Sequence, residues 1–410
     1  MTENEKPFKK YFLLLVLSSY LLYMLSTAVK MVYSAEIVEI APYYGVDKSS
    51  VSLGLTIYYA AYAITQLFIS VLMKKFDMRK FIVGSSIFSA LSFGGIFFMS
   101  DLWQIWIILG LNGMLQAGIW GGTMYFFGRY LPDEMLSRSS AIMSTAYAVG
   151  NAMSFGSSAL FVKILDWKYT FLFIAILFLL SAFLFGAVVK KLEKTVPPKE
   201  RVAAKTETIA EKTISKNKLT LCVIYYCTLG FVVSCAYFAV SNWFPNLLKE
   251  VYNLPSSYSI LLSLLIPVGM LFGPFLANGV ADKTHKPALE GAIFMGVTSV
   301  IFFVCTFVYA VNIVLISALT LISMLLVRGY CNLIYSYVPL KARGAMESGR
   351  FSLLINSFAS VSSAIMPYLS GLVLDHSGWE VYYYLCTGLC LLSLAILVFG
   401  MIAKTDDVLY

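Results

Sequence analysis

The chain has 410 residues, 59% of them hydrophobic and only 13% charged, with 30 Lys and Arg against 22 Asp and Glu and a formal net charge of +8. So small a polar fraction cannot cover a water-soluble globule, which excludes a soluble enzyme or binding module and points to a lipid bilayer as the solvent. Because a bilayer-spanning helix needs about 20 mostly apolar residues, the composition predicts an all-α membrane protein.

Twelve apolar runs follow one another: 11–41, 51–73, 81–99, 103–127, 138–162, 168–189, 219–245, 256–278, 288–309, 311–337, 345–372 and 380–403. The first follows MTENEKPFKK and is too long to be the apolar core of a cleaved signal peptide. It carries Lys30 in its middle, in "YMLSTAVKMVYSAE". Lys30 lies about 28 Å along that helix at 1.5 Å per residue, too deep to reach either face easily. Span 4 contains "GLNGMLQAGIWGG". Its glycines suit close helix packing and sliding; it follows no strand and has no phosphate-loop lysine. Span 10 carries the second intramembrane cation, Arg328, in "SMLLVRGYCNLIY". The seven cysteines lie in spans of the second half with no ligand spacing and read as packing residues. No catalytic constellation, metal site or cofactor motif is present, which argues against an enzyme and predicts no cofactor and no bound metal.

Charge orients the chain. With the N-terminus in the cytoplasm, 24 of the 30 basic residues fall on the inner side, four (Lys48, Lys163, Lys168, Lys249) outside, and two, Lys30 and Arg328, inside spans. This is the positive-inside pattern. It predicts a multi-pass protein of the plasma (inner) membrane with both termini cytoplasmic, and it accounts for the positive charge without nucleic acid. The acids are expected at helix ends: Glu36 and Glu39 near the outer end of span 1, Asp101, Glu290 and Asp375 at other ends, and Glu347 beside Arg350.

The sequence also repeats. "RYLPDEMLSRSSA" parallels "SYVPLKARGAMESG", and "LDWKYTFLF" parallels "LDHSGWEVYYYL"; Lys75 to Lys283 is 208 residues and Pro132 to Pro339 is 207. The expected organisation is a six-helix bundle over 1–189, a charged cytoplasmic linker over 190–218 containing Pro-Pro and no apolar stripe, and a second six-helix bundle over 219–410.

Six plus six spans, parallel halves and a charged central loop resemble the major facilitator superfamily, whose members rock two bundles around a midplane site. The superfamily's loop signature, Gly-x-x-x-Asp-Arg/Lys-x-Gly, keeps its core in "NGVADKTHK" with Asp282 and Lys283. The first copy, "SVLMKKFDMRK", has Ser70 and Lys74 in place of Gly and Asp, and supplies Lys74, Lys75 and Arg79 as signature-loop candidates. "GLNGMLQAGIWGG" and "VSNWFPNLLKEV" are similar to the organophosphate:phosphate antiporters and related organic-anion transporters. Those antiporters carry basic residues in spans 1 and 7 and a histidine in span 5; here the positions hold Lys30, Tyr237 and Tyr147. The 207-residue offset likewise carries Lys30 to Tyr237.

The resemblance implies that spans 1, 4, 7 and 10 line a cavity. The expected solute ligands are then Lys30 and Arg328, with Tyr33, Asn112, Gln116, Trp120, Tyr125, Tyr237, Asn242 and Asn332 as secondary candidates. For Lys30 the structural alternative is bonding to a carbonyl or a buried acid, for Arg328 bonding to carbonyls or snorkelling to the cytoplasm, and for the others helix–helix hydrogen bonding or packing. Two intramembrane cations without midspan acids are costly, and a small anionic solute would supply the counter-charge. The expected function is a monomeric secondary active transporter of a small organic anion, carboxylate first, working by alternating access through exchange or symport. An organophosphate:phosphate antiporter comes second; lipid or drug efflux and a transport-inactive sensor are further alternatives.

Overall fold

The structure is a computed structural model in which residues 8–72, 77–197, 216–338 and 348–403 are described. Every regular element among them is helical. The helices are α1 (Lys9–Tyr44), α2 (Lys48–Leu72), α3 (Met78–Gly95), α4 (Leu102–Gln116), α5 (Ile119–Tyr130), α6 (Asp133–Ile164) and α7 (Lys168–Thr195). They continue with α8 (Lys216–Tyr252), α9 (Ser256–Leu262), α10 (Leu265–Thr284), α11 (Pro287–Val308), α12 (Ile313–Asn332) and α13 (Ser348–Ile402). Helices predominate because a chain in hydrocarbon must satisfy its backbone N–H and C=O groups within the segment.

Three predicted spans are interrupted. Span 4 is two helices, α4 and α5, parted at Ala117–Gly118. Span 8 is α9 and α10, parted at Ser263–Leu264. Span 10 ends in a π-helical stretch, Leu333–Tyr337, a widened turn of the kind often found at functional sites. The last two spans join as α13, which bends where Gly378 takes φ 74°, a left-handed conformation that glycine adopts without Cβ strain. Helix also extends beyond the apolar runs: α7 continues to Thr195, six residues into the segment expected to be linker (190–195), because Lys190, Lys191 and Lys194 can hold their charged ends in water while the backbone stays hydrogen-bonded.

Contacts divide the chain into two compact units, Met1–Tyr44 with Ile57–Ala204, and Gly45–Thr56 with Lys205–Tyr410. In the first unit α1 packs on α6 and α7, and α3 on α7 and α4. Gly150 of α6 lies so close to α1 that a Cβ there would overlap the Met24 carbonyl, and Gly113 of α4 meets the Tyr58 carbonyl of α2 in the same way. Small residues allow such approach where no hydrophobic force draws helices together. In the second unit α8 and α11 pack on α13, and α10 on α12.

The second unit also holds the beginning of α2. The Asp375 carboxylate accepts the backbone N–H groups of Lys48 (3.0 Å) and Ser49 (2.8 Å), capping α2. Lys48 Nζ pairs with Glu250 Oε1 at 3.0 Å, Trp379 Nε1 donates to Glu250 Oε2 at 3.0 Å, and Thr56 Oγ1 donates to the Ala364 carbonyl at 2.6 Å.

Candidate functional site

Lys30 sits on α1, 8% exposed, fourteen residues before the helix ends at Tyr44 and so about 21 Å from it by helical rise. Among the described residues no carboxylate lies within ion-pair distance of its ammonium. Its neighbours are rings: Nζ stands 4.4 Å from the centroid of Tyr62 on α2 and 5.9 Å from that of Tyr23 on α1. Each ring is backed by another. Tyr58 lies parallel to Tyr62 (6.3 Å, 17°), and Trp120 at the start of α5 tilts against Tyr23 (4.7 Å, 50°). Electron-rich ring faces attract a cation.

Beside this cluster the polar groups of the first unit hold one another. Gln116 Oε1 accepts from Ser26 Oγ (2.8 Å) and Tyr58 Oη (3.3 Å), and Gln116 Nε2 donates to Ser89 Oγ (3.1 Å). Ser89 donates in turn to Asn112 Oδ1 (2.5 Å), and Asn112 Nδ2 donates to Ser92 Oγ and the Ile108 carbonyl, both at 3.0 Å. Both amides are fully buried and tie α1, α2, α3 and α4 together. Tyr33 is also fully buried.

In the second unit Arg328 of α12 is half-buried, with its guanidinium carbon 5.3 Å from the ring centroid of Tyr237 on α8. Tyr237 Oη donates to Met270 Sδ at 3.1 Å. Asn242 Nδ2 donates to its own helix at the Phe238 carbonyl (2.8 Å), and Asn332 Nδ2 to Asn278 Oδ1 of α10 (3.4 Å). The repeat does not duplicate the cations. Tyr237 stands where Lys30 stands in the first unit, and the same 207-residue offset carries Arg328 to Gly121, next to Trp120.

Tyr125 belongs elsewhere. It accepts a short hydrogen bond from Arg129 and lines a cavity of about 420 Å³ with Asp77, Arg79, Arg129 and Glu193. There Arg79 Nη1 pairs with Glu193 Oε2 at 2.9 Å, joining α3 to the end of α7. Asp77 caps α3, accepting from the Lys80 N–H at 3.2 Å, and that bond holds its carboxyl below the usual carboxylate range. Of the other signature-loop candidates, Asp282 and Lys283 are exposed at the end of α10, while Lys74 and Lys75 lie outside the described residues, as does Glu347; nothing is described of the Arg350 side chain.

Two of the acids expected near helix ends are buried. Glu36, eight residues before the end of α1, is 0% exposed; its Oε1 accepts from Thr170 Oγ1 of α7 at 2.8 Å. Glu290 is in the first turn of α11 but is only 3% exposed, and its carboxylate makes no hydrogen bond among the described residues. Counting residues to a helix end measures depth along the axis, whereas packing of α6 and α7 around α1 decides what water reaches. Sequence reasoning also missed Tyr23, Tyr58 and Tyr62. The spacing of Tyr58 and Tyr62, four apart in "TIYYAAYAITQ", puts both rings on one helix face and was the available signal.

A multi-pass helical membrane protein with a buried ammonium in one unit and a half-buried guanidinium in the other is arranged as polytopic transporters are, and comparison with known proteins gives the family. Residues 12–348 match the sequence model of the Major Facilitator Superfamily, so the chain belongs to that superfamily of transporters. It is 24% identical over 378 residues to the glucose-6-phosphate exchanger SLC37A2 of Xenopus laevis, covering 80% of this chain and 75% of that protein. It is 27% identical over 150 residues to human SLC37A1, also a glucose-6-phosphate exchanger, covering 35% of this chain and 28% of that protein. Among solved structures it is similar to a bacterial homologue of the human lysosomal transporter Spinster, with TM-score 0.73 at 14% identity over 98% of this chain and 96% of the other.

Proposed function

We propose that this transporter moves a small organic anion by alternating access, with Lys30 and Arg328 as its charge ligands and Tyr237 beside the second. The observation that carries this reading is Lys30: a buried ammonium with no carboxylate in ion-pair distance among the described residues. Ring faces offset only part of the cost of a buried charge, about 2 kcal/mol for a desolvated contact, whereas removing an ion from water costs several. An anion arriving at Lys30 gains most from that deficit. One cation on span 1 with a tyrosine at its repeat position suits a carboxylate, which is our first expectation. Exchange of a phosphate ester for phosphate is the second reading, favoured by the names of the SLC37 relatives. The protein acts as a monomer in the plasma membrane, with both termini cytoplasmic.

The test is counterflow in proteoliposomes across carboxylates, sugar acids and phosphate esters. Lys30→Ala and Arg328→Ala should each reduce anion counterflow at least tenfold; if both leave it intact, these residues are not the ligands. Exchange predicts counterflow that ignores a pH gradient. Strong stimulation by external acid would instead assign coupling to a proton, with Glu36 the first residue to substitute.

A further inference from the structure

Lys30 is held by π-faces where a counter-anion would ordinarily stand, and the ring nearest to it, Tyr62, has no role in the reading above. The distances favour Tyr62 as the principal partner: 4.4 Å to its centroid against 5.9 Å to that of Tyr23. Attraction between a cation and a ring falls away beyond about 6 Å, so Tyr23 sits at the margin and Tyr62 well within. The Tyr62 ring is itself fixed. Tyr58 stacks parallel to it, and Tyr58 is fastened through its hydroxyl to Gln116, which also holds Ser26 of α1, one helical turn before Lys30. The same network therefore sets both the ring and the stretch of α1 that carries the ammonium. A ring covers one side of an ammonium group. The remaining N–H bonds stay directed away from it, and a flexible four-carbon stem is restrained before any solute arrives.

We propose that Tyr62 is a positioning residue for anion binding: its ring face holds the Lys30 ammonium in place and aimed while the carrier is empty, and so lowers the ordering cost of binding. This rests on Lys30 being an anion ligand. In the second unit a cation likewise faces a tyrosine ring, Arg328 over Tyr237 at 5.3 Å.

Two measurements on the full-length chain test it. The first is a double-mutant cycle by thermal unfolding in detergent, without any solute. Tyr62→Leu should lower the melting midpoint by on the order of 2–4 °C more in the native background than beside Lys30→Met, and Tyr62→Phe, which keeps the ring face, should restore most of the loss. An equal loss in both backgrounds, or a Tyr62→Phe as damaging as Tyr62→Leu, overturns the proposal. The second is counterflow of gluconate and of glucose 6-phosphate. Tyr62→Leu should raise the half-saturating concentration of the exchanged solute about ten- to thirtyfold with much less effect on the maximal rate, and Tyr62→Phe should recover the affinity. A fall in maximal rate with unchanged half-saturation overturns it. Should Lys30→Gln leave counterflow intact while the unfolding cycle still shows coupling, the anion-ligand reading fails and the ring–ammonium contact stands.

Discussion

Lys30 was legible in the sequence because a charge inside twenty apolar residues is visible without any structure. Its surroundings were not, since they come from α1, α2 and α5 and depend on packing. The same division separates the amides. Asn112 and Gln116 read as solute ligands on a lining span, and the structure binds both into a buried network. Asn112→Ala would leave Ser89 and Ser92 short of a partner, so it should destabilise the protein by about 1–3 kcal/mol and lower the melting midpoint accordingly. An unchanged midpoint would return that amide to the solute. Glu36 lies near the end of its helix, yet the packing of Thr170 and its helix over it keeps its carboxylate buried, which position along the sequence does not report.

At the scale of helices, hydropathy located the elements and missed their interruptions. Breaks at Ala117–Gly118 and Ser263–Leu264 cost few apolar residues, so a sliding average passes over them. Capping was also invisible, because the Asp375 carboxylate that caps α2 lies more than three hundred residues away in sequence. Asp375→Ala should cost about 1 kcal/mol and lower the melting midpoint, while Asp375→Asn, which keeps an acceptor, should cost less. Asp77 caps α3 locally. Its carboxyl is depressed by the Lys80 N–H, so its contribution is complete above the ordinary value of 3.8 and is lost as pH falls below that. Amide hydrogen exchange at Phe81, whose N–H bonds to the Asp77 carbonyl at the same helix start, should accelerate in Asp77→Ala at neutral pH. Gly150→Ala places a methyl group against the Met24 carbonyl, and about 1–3 kcal/mol of destabilisation is expected from overpacking.

For the whole molecule, length, hydropathy, the basic-residue census and the repeat together carried the fold class, since each is a property of the entire chain rather than of a few contacts. Cargo is different: it depends on a few side chains whose neighbours the pattern does not specify. Topology can be checked simply, because all seven cysteines are buried and give little background to a membrane-impermeant thiol reagent. A cysteine in place of Lys205, in the basic central segment, should be labelled in inside-out vesicles and protected in right-side-out ones. The opposite result would invert the proposed orientation.

Trp120 leans against Tyr23, which in turn borders Lys30. Indole emission responds to nearby charge and to the polarity around the ring, so this contact makes Trp120 an optical gauge built into the carrier. A solute that neutralises Lys30 should change the intrinsic fluorescence, and Trp120→Phe should abolish that change while the other five of the six tryptophans continue to emit. Binding could then be followed in real time without a label.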